Sequence, residues 1–171
     1  MIKILIGIVV GILIPFVAGF FFVELGGMPV ATAGAPLPFE KWIARVSINR
    51  AMGAEINRPC PIPADEINLI KGSRVYVAQC AVCHGVPDLP PTAIASGLFP
   101  SAPQLLDLKG NGVTDDSAGE TYWKARNGIR LTGMPGFSKG LSNTELWQVS
   151  LLLQHAHDLP RSVRDSLKAP K

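Results

Sequence analysis

The stretch "QCAVCHGVP", residues 79–87, contains two cysteines separated by two residues and followed at once by a histidine. The thiols are Cys80 and Cys83, and the adjacent imidazole is His84. Three kinds of site share this pattern: a redox dithiol, half of a zinc site and a covalent haem attachment site. Each kind predicts a different protein, so the surrounding sequence must discriminate between them.

The residues around the motif favour haem attachment. A redox dithiol belongs in a strand-rich setting, whereas residues 63–80 carry apolar positions at helical spacing and only weak strand candidates follow. Zinc needs a second pair of ligands, and Cys60 has no partner at the usual paired spacing. Two thiols can meet the two vinyl groups of a haem while the adjacent imidazole ligates the iron. The sequence therefore predicts one covalently attached haem c.

A haem iron with one histidine ligand takes a second axial ligand, often a thioether. Of the four methionines in the chain, Met134 alone lies in a stretch that would hold its sulfur in place, "GMPG" at residues 133–136. The alternative for Met134 is a methionine that fills a gap in the core. His155 and His157, near the end of the last predicted helix, are the less favoured axial ligands.

Residues 64–159 resemble the class I cytochromes c. The resemblance rests on "GSRVYVAQCAVCHG" (72–85), "APQLLDL" (102–108), "ETYWKARNGIRLTGMPGF" (120–137) and "LSNTELWQVSLLL" (141–153). It implies an all-α fold, a class I cytochrome c haem domain in which the first and last helices cross. Gly72 and Tyr76 match the crossing positions of the first helix, and Trp147 is expected to meet them.

The resemblance also implies that a proline carbonyl accepts a hydrogen bond from the proximal histidine. Pro103 matches that residue, with Pro90 and Pro91 as competitors. Trp123 either covers a haem edge or propionate or is an ordinary core aromatic. Arg130 either pairs with a propionate or is a solvated surface arginine. No catalytic residue is expected, because the sequence shows no constellation of carboxylates, serines or histidines that suggests catalysis.

The N-terminal region predicts a membrane anchor. Residues 4–23 are uncharged across twenty positions, and such a helix would be about 30 Å long, enough to cross a bilayer. A cleaved signal peptide with a site at residues 31–33 is the alternative, but the apolar run exceeds the roughly 7–15 residues usual there. Haem c is attached on the outer side of the membrane, so we expect a single-pass inner-membrane protein with a periplasmic haem domain.

The predicted domains are a transmembrane anchor (1–24), a linker with a short amphipathic helix (25–60), the haem domain (61–160) and a C-terminal tail (161–171). Within "LPFEKWIARVSINRAMG", residues 37–53, Phe39, Trp42, Ile43 and Val46 recur at helical spacing. Such a stripe needs an apolar partner. We expect a partner subunit or the membrane surface to cover it, in preference to the haem domain.

These features predict a membrane-anchored monohaem cytochrome that carries single electrons between redox partners, with a place in a respiratory or photosynthetic complex as the narrower expectation. From residue 61 onward the chain has eleven Lys plus Arg and ten Asp plus Glu, and two haem propionates would bring this part to a charge of about −1, so long-range charge steering should be modest. No nucleic-acid partner is expected. No small-molecule substrate is expected either. The alternative from another class is a peroxidase-like haem enzyme in which Met134 leaves the iron.

Overall fold

The computed structural model describes residues 1–106 and 116–168, and its regular elements are helical. The α-helices are α1 (Ile2–Glu24), α2 (Glu40–Met52), α3 (Glu66–Val75), α4 (Ala81–His84), α5 (Ala93–Ser96), α6 (Ala118–Asn127), α7 (Asn143–Gln154) and α8 (Arg161–Ser166). Within the described residues, β-pairing is confined to one isolated bridge between Ile129 and Met134. The predicted all-α class with one N-terminal apolar helix is confirmed.

The chain divides into two compact units, Met1–Lys41 and Trp42–Lys171. The first unit contains α1, a helix of 23 residues with no buried side chain. The most apolar 18-residue stretch of this helix has a mean hydropathy of 2.8. A helix that is apolar all round and packs against nothing in its own unit fits a bilayer. It is a candidate membrane anchor, and a signal sequence would have the same length and composition.

Helix α3 begins the core of the second unit and runs into the cysteine motif. Asp65 caps it by accepting a hydrogen bond from the backbone N–H of Asn68 at 2.8 Å. The helix then passes through a π-helical turn, Tyr76–Cys80, into α4, so helical backbone continues to His84. The sequence predicted a helix that ends at the motif. In the structure the motif itself is helical.

Helix α7 is the central helix of the second unit. Ser142 and Glu145 form the predicted capping box at its start, and every side chain from residue 146 to 153 is buried. Its closest partner is α3, because a Cβ atom at Gly72 would lie 2.2 Å from the backbone oxygen of Gln148. The two backbones approach at this position because glycine has no side chain.

Trp147 stacks on Tyr122 of α6, with ring centroids 4.1 Å apart and planes 12° apart. The three atoms nearest to a Cβ at Gly72 belong to Gln148 and Leu152. The expected meeting of Trp147 with Gly72 and Tyr76 stays a prediction. Adjacent residues on a helix point in different directions, so Gln148 at the crossing turns Trp147 toward α6.

Two segments outside the predicted haem domain belong to the second unit. Beyond residue 160, where a tail was predicted, α8 buries Val163 and Leu167 one turn apart in the core. Before residue 61, α2 ends at Met52, which is only 2% exposed. The main-chain oxygen of Ile56 accepts a hydrogen bond from Ser117 at the N-cap of α6. The folded part of this unit is therefore longer than the segment 61–160.

The helix predicted for residues 37–53 forms, with a later start. Phe39 has a positive φ of 65°, which ends any helical continuation from Pro38, so α2 begins at Glu40. The expected apolar stripe is exposed: Trp42 is 64% exposed, and Ile43 and Val46 are exposed as well.

The crossing at Gly72 generates the first prediction. Gly72→Ala should lower the free energy of unfolding of the full chain by about 1–3 kcal/mol, because its Cβ overpacks against backbone that cannot rotate away. Without that contact, alanine would stabilise the helix by about 1 kcal/mol over glycine. Gly140→Ala is the control, since nothing lies within 4 Å of a Cβ there. Urea unfolding, followed by circular dichroism, measures whether the free energy of unfolding falls or rises. A Gly72→Ala protein that is more stable than the wild type would contradict the close contact between the two helices.

Candidate haem site

The cysteine motif opens onto the main cavity of the second unit. Cys80, Cys83 and His84 all line this cavity, whose volume is about 750 Å³. On helical backbone, residues three and four apart share a face, so the helical form of the motif presents both thiols and the imidazole to one space. The volume lies within the range of about 300–1,000 Å³ typical of ligand and cofactor sites.

The His84 ring is oriented by a backbone carbonyl. Its Nδ1 lies 2.8 Å from the carbonyl oxygen of Pro103. A carbonyl oxygen only accepts, so Nδ1 donates and the lone pair of a neutral ring remains on Nε2. Burial lowers the pKa of His84, and the hydrogen bond to Pro103 partly offsets this effect. The imidazole is thereby kept in the neutral, oriented form that ligates a metal ion.

The turn after the motif is fixed by Tyr76 and Gly85. The hydroxyl of Tyr76 donates a hydrogen bond to the carbonyl of Gly85 at 2.7 Å. Gly85 has a φ of 71°, a conformation that ends the helix directly after His84. Because Tyr76 is fully buried in the core, this bond anchors the end of the motif to α3.

The Cys80 thiol lacks the electrostatic environment of a redox dithiol. Burial and, to a smaller extent, the neighbouring Cys83 together raise the pKa of Cys80 to about 12. A reactive dithiol cysteine needs a lowered pKa, because the thiolate is the nucleophile. In the described residues, no group of three or more histidine, cysteine or acidic side chains is arranged to hold a metal ion, so the zinc interpretation gains no second ligand pair.

Met134 lies in a loop that is hydrogen-bonded to the end of α6. Its carbonyl accepts from the N–H of Ile129 at 3.1 Å, and its own N–H lies 3.3 Å from the hydroxyl oxygen of Thr132. A Cβ at Gly128 would lie 2.5 Å from the nitrogen of Gly136, so glycines allow the loop to lie against the helix end. Met134 lines the same cavity as His84. Its sulfur is therefore presented from a fixed backbone.

Of the other site residues predicted from the sequence, only one lines the cavity. Pro103 lines the cavity, whereas the exposed Arg130 and the half-buried Trp123 do not. Among the alternative ligands, Met52 is buried away from the cavity lining, and neither His155 nor His157 lines it.

Cys60 is half-buried against the hydrophobic core, and burial raises the pKa of its thiol. An inert thiol in such a position behaves as a small apolar side chain.

Part of the cavity wall comes from residues that sequence reasoning did not identify. Leu98 and Pro100 follow the motif, and a Cβ at Gly133 would lie 3.0 Å from Leu98, so this segment lies beside the methionine loop. Thr92 ties the segment to the motif helix by donating to the carbonyl of Val82 at 2.6 Å. No sequence pattern signals these contacts, because they join segments that are separated along the chain.

Polar residues also belong to the cavity wall. Thr121 lines the cavity, but its hydroxyl oxygen is buried away from the open space and lacks a hydrogen-bond partner within the described residues. Lys124 lines it too and lies 2.7 Å from both Asp116 and Glu120. Burial alone lowers the pKa of Lys124, but these two carboxylates raise it overall, so the lysine stays charged. Because Lys124 is already paired with two carboxylates, a haem propionate would need another donor of the cavity wall.

A helical domain in which two cysteines, an oriented histidine and a fixed methionine line one cavity has the site of a c-type cytochrome. The family model described as cytochrome c oxidase, cbb3-type, subunit III, matches residues 68–151, just under half of the chain. The chain is a c-type cytochrome that functions in electron transport, and its cofactor is covalently bound haem c.

One solved structure similar to this chain is a component of the Kuenenia stuttgartiensis reducing HAO-like protein complex. The two chains are 24% identical, with a TM-score of 0.47, over 56% of this chain and 46% of that chain. The chain thus spans less than half the length of that structure. No curated protein matches the chain significantly.

The Met134 loop generates a second prediction. Met134→Ala should allow the reduced haem to bind carbon monoxide and should lower the reduction potential, because a thioether ligand favours ferrous iron. Met52→Leu is the control, since it keeps the volume of a buried methionine that does not line the cavity. Carbon monoxide titration and redox titration provide the measurements. If Met134→Ala matches the wild type in both, the second axial ligand is another residue.

Proposed function

We propose that this chain is a membrane-anchored, single-haem cytochrome that carries single electrons between protein partners on the outer side of a cell membrane. Cys80 and Cys83 would hold the haem through thioether bonds, and His84 and Met134 would ligate its iron. The observation that carries the proposal is that all four of these side chains line one cavity. When bound, haem c supplies one-electron chemistry through its ferric and ferrous states.

The axial pair favours electron transfer over enzyme catalysis. His84 is oriented by the Pro103 carbonyl, and Met134 is held by the bridge to Ile129. With both ligands supplied by fixed segments, neither position on the iron is left for a substrate. A peroxidase-like function is the second candidate, and it would require the Met134 loop to release its sulfur. The hydrogen bonds of that loop to Ile129 and Thr132 disfavour such a release.

The proposed location combines α1 with the site chemistry. Helix α1 has the length and composition of a membrane span, and c-type haem is attached on the outer side of the membrane. Lys3 lies in the first turn of α1, just before the uncharged run of residues 4–23, in agreement with a cytoplasmic N-terminus under the positive-inside rule. We therefore propose a single-pass inner-membrane protein with a periplasmic haem domain.

The outer face of α2 supports an assembled rather than a freely diffusing carrier. Trp42, Ile43 and Val46 are exposed on a helix that follows the anchor by some fifteen residues. An exposed apolar face of this kind marks an interaction surface. We propose that it docks on a partner subunit of a membrane electron-transfer complex.

The third prediction tests this function in native membranes. Wild-type haem should be reduced by a respiratory substrate and reoxidised by the membrane's electron acceptor, as followed by the α-band of ferrous haem. The double variant Trp42→Ser, Ile43→Ser should keep the wild-type spectrum and thermal stability, but it should lose at least half of this rate and co-purify less well with partner proteins.

The matched control is Ile67→Ser, which changes an apolar side chain that is 66% exposed on α3. Its rate should equal that of the wild type. A wild-type haem whose redox state does not respond to respiratory substrate would overturn the carrier function. A double variant with a full rate, or one whose haem domain is itself unstable, would overturn the docking role of α2.

A further inference from the structure

Helix α2 has a second face, which lines the haem cavity. Ala44, Arg45, Ile48 and Asn49 belong to the cavity wall. Their spacing along the helix places them on one side, and Arg45 and Asn49 lie one turn apart. The helix ends at Met52, well before residue 68, where the match to the cytochrome family begins. The cavity therefore has a wall that the matched cytochrome region does not supply.

The turn that follows α2 packs against α6. Gly119 approaches the turn after α2 so closely that a Cβ there would lie 2.6 Å from the carbonyl oxygen of Glu55. Arg58 lies over the rings of Tyr122 and Trp147, 5.5 and 5.8 Å from their centroids. These contacts hold the segment that follows α2 against the core, so α2 projects from a fixed point along the cavity.

The charges of the cavity wall distinguish Arg45 from the other cation. Lys124 is neutralised by Asp116 and Glu120, each at 2.7 Å. Arg45 has no ion pair among the described residues. Its guanidinium is thus the uncompensated positive charge on this wall, and guanidinium groups bind carboxylates through two parallel hydrogen bonds.

Helix α2 carries a second donor beside Arg45. Asn49 lines the cavity and supplies an amide one turn from Arg45. We propose that Arg45 and Asn49 bind a haem propionate, which makes α2 a wall of the haem site and couples the anchor-proximal segment to the cofactor. This inference rests on the haem-binding part of the proposed function.

A charge series at position 45 tests the proposal in the full-length holoprotein. Ferric haem carries one more positive charge than ferrous haem, so a nearby cation raises the reduction potential and its removal lowers it. We expect Arg45→Lys to stay near the wild-type potential, Arg45→Gln to fall below it and Arg45→Glu to fall further. The same three substitutions at Arg50 are the control, because Arg50 lies on the same helix but does not line the cavity. The reduction potential should be the same in all three Arg50 variants as in the wild type.

Hydrogen exchange of α2 is the second readout. Arg45→Gln and Asn49→Ala should each increase exchange in residues 42–52 by several-fold, while Arg50→Gln should leave it unchanged. If Arg45→Glu does not retain haem, the lysine and glutamine variants still give the order of potentials. If the reduction potential is the same for all charges at position 45, the proposal is overturned. This holds even if hydrogen exchange of α2 increases, because faster exchange alone shows only that Arg45 contributes to packing. Loss of electron delivery in membranes with an intact charge series would overturn the proposed function and leave this inference standing.

Discussion

The backbone contact between α3 and α7 at Gly72 is the constraint on which the position of the haem site depends. Any side chain there would meet the carbonyl of Gln148 and separate the two helices. Helix α3 continues through a π-helical turn into α4, so its placement on α7 also determines where Cys80, Cys83 and His84 face. The haem attachment motif and the helix crossing are therefore parts of one continuous helical segment, and a change at one end is transmitted to the other.

Two non-helical segments complete the site around this segment, and both are fixed by main-chain groups. Pro103 accepts the hydrogen bond that orients His84, although it lies 19 residues further along the chain. The methionine loop is held at the end of α6, where Phe137 donates its N–H to the carbonyl of Ala125 at 2.9 Å. Ligands held in this way need little rearrangement when the iron changes its charge, which suits a group that repeatedly gains and loses one electron.

The sequence predicted the capping box at Ser142 and the covalent haem from local chemistry, and its resemblance to the class I cytochromes c implied the all-α class. It did not predict features that depend on packing between distant segments. The stacking partner of Trp147 is set by the register of α7 on α6, which no periodicity encodes. Arg45 and Asn49 line the cavity although they lie far along the chain from the cysteine motif, and no local pattern places them there. The spacing of apolar residues on α2 predicted the exposed apolar face of this helix, but not the face that lines the cavity.

We propose that one haem is bound covalently through Cys80 and Cys83. Intact-protein mass spectrometry of the purified chain, followed by mapping of the peptide that contains both cysteines, tests it most directly. In the wild type we expect one added haem mass that resists extraction with acidic acetone and lies on that peptide. In a Cys80→Ala, Cys83→Ala double variant we expect this added mass to be lost completely. A haem that acidic acetone extracts from the wild-type protein, or that stays covalently attached in the double variant, would contradict it.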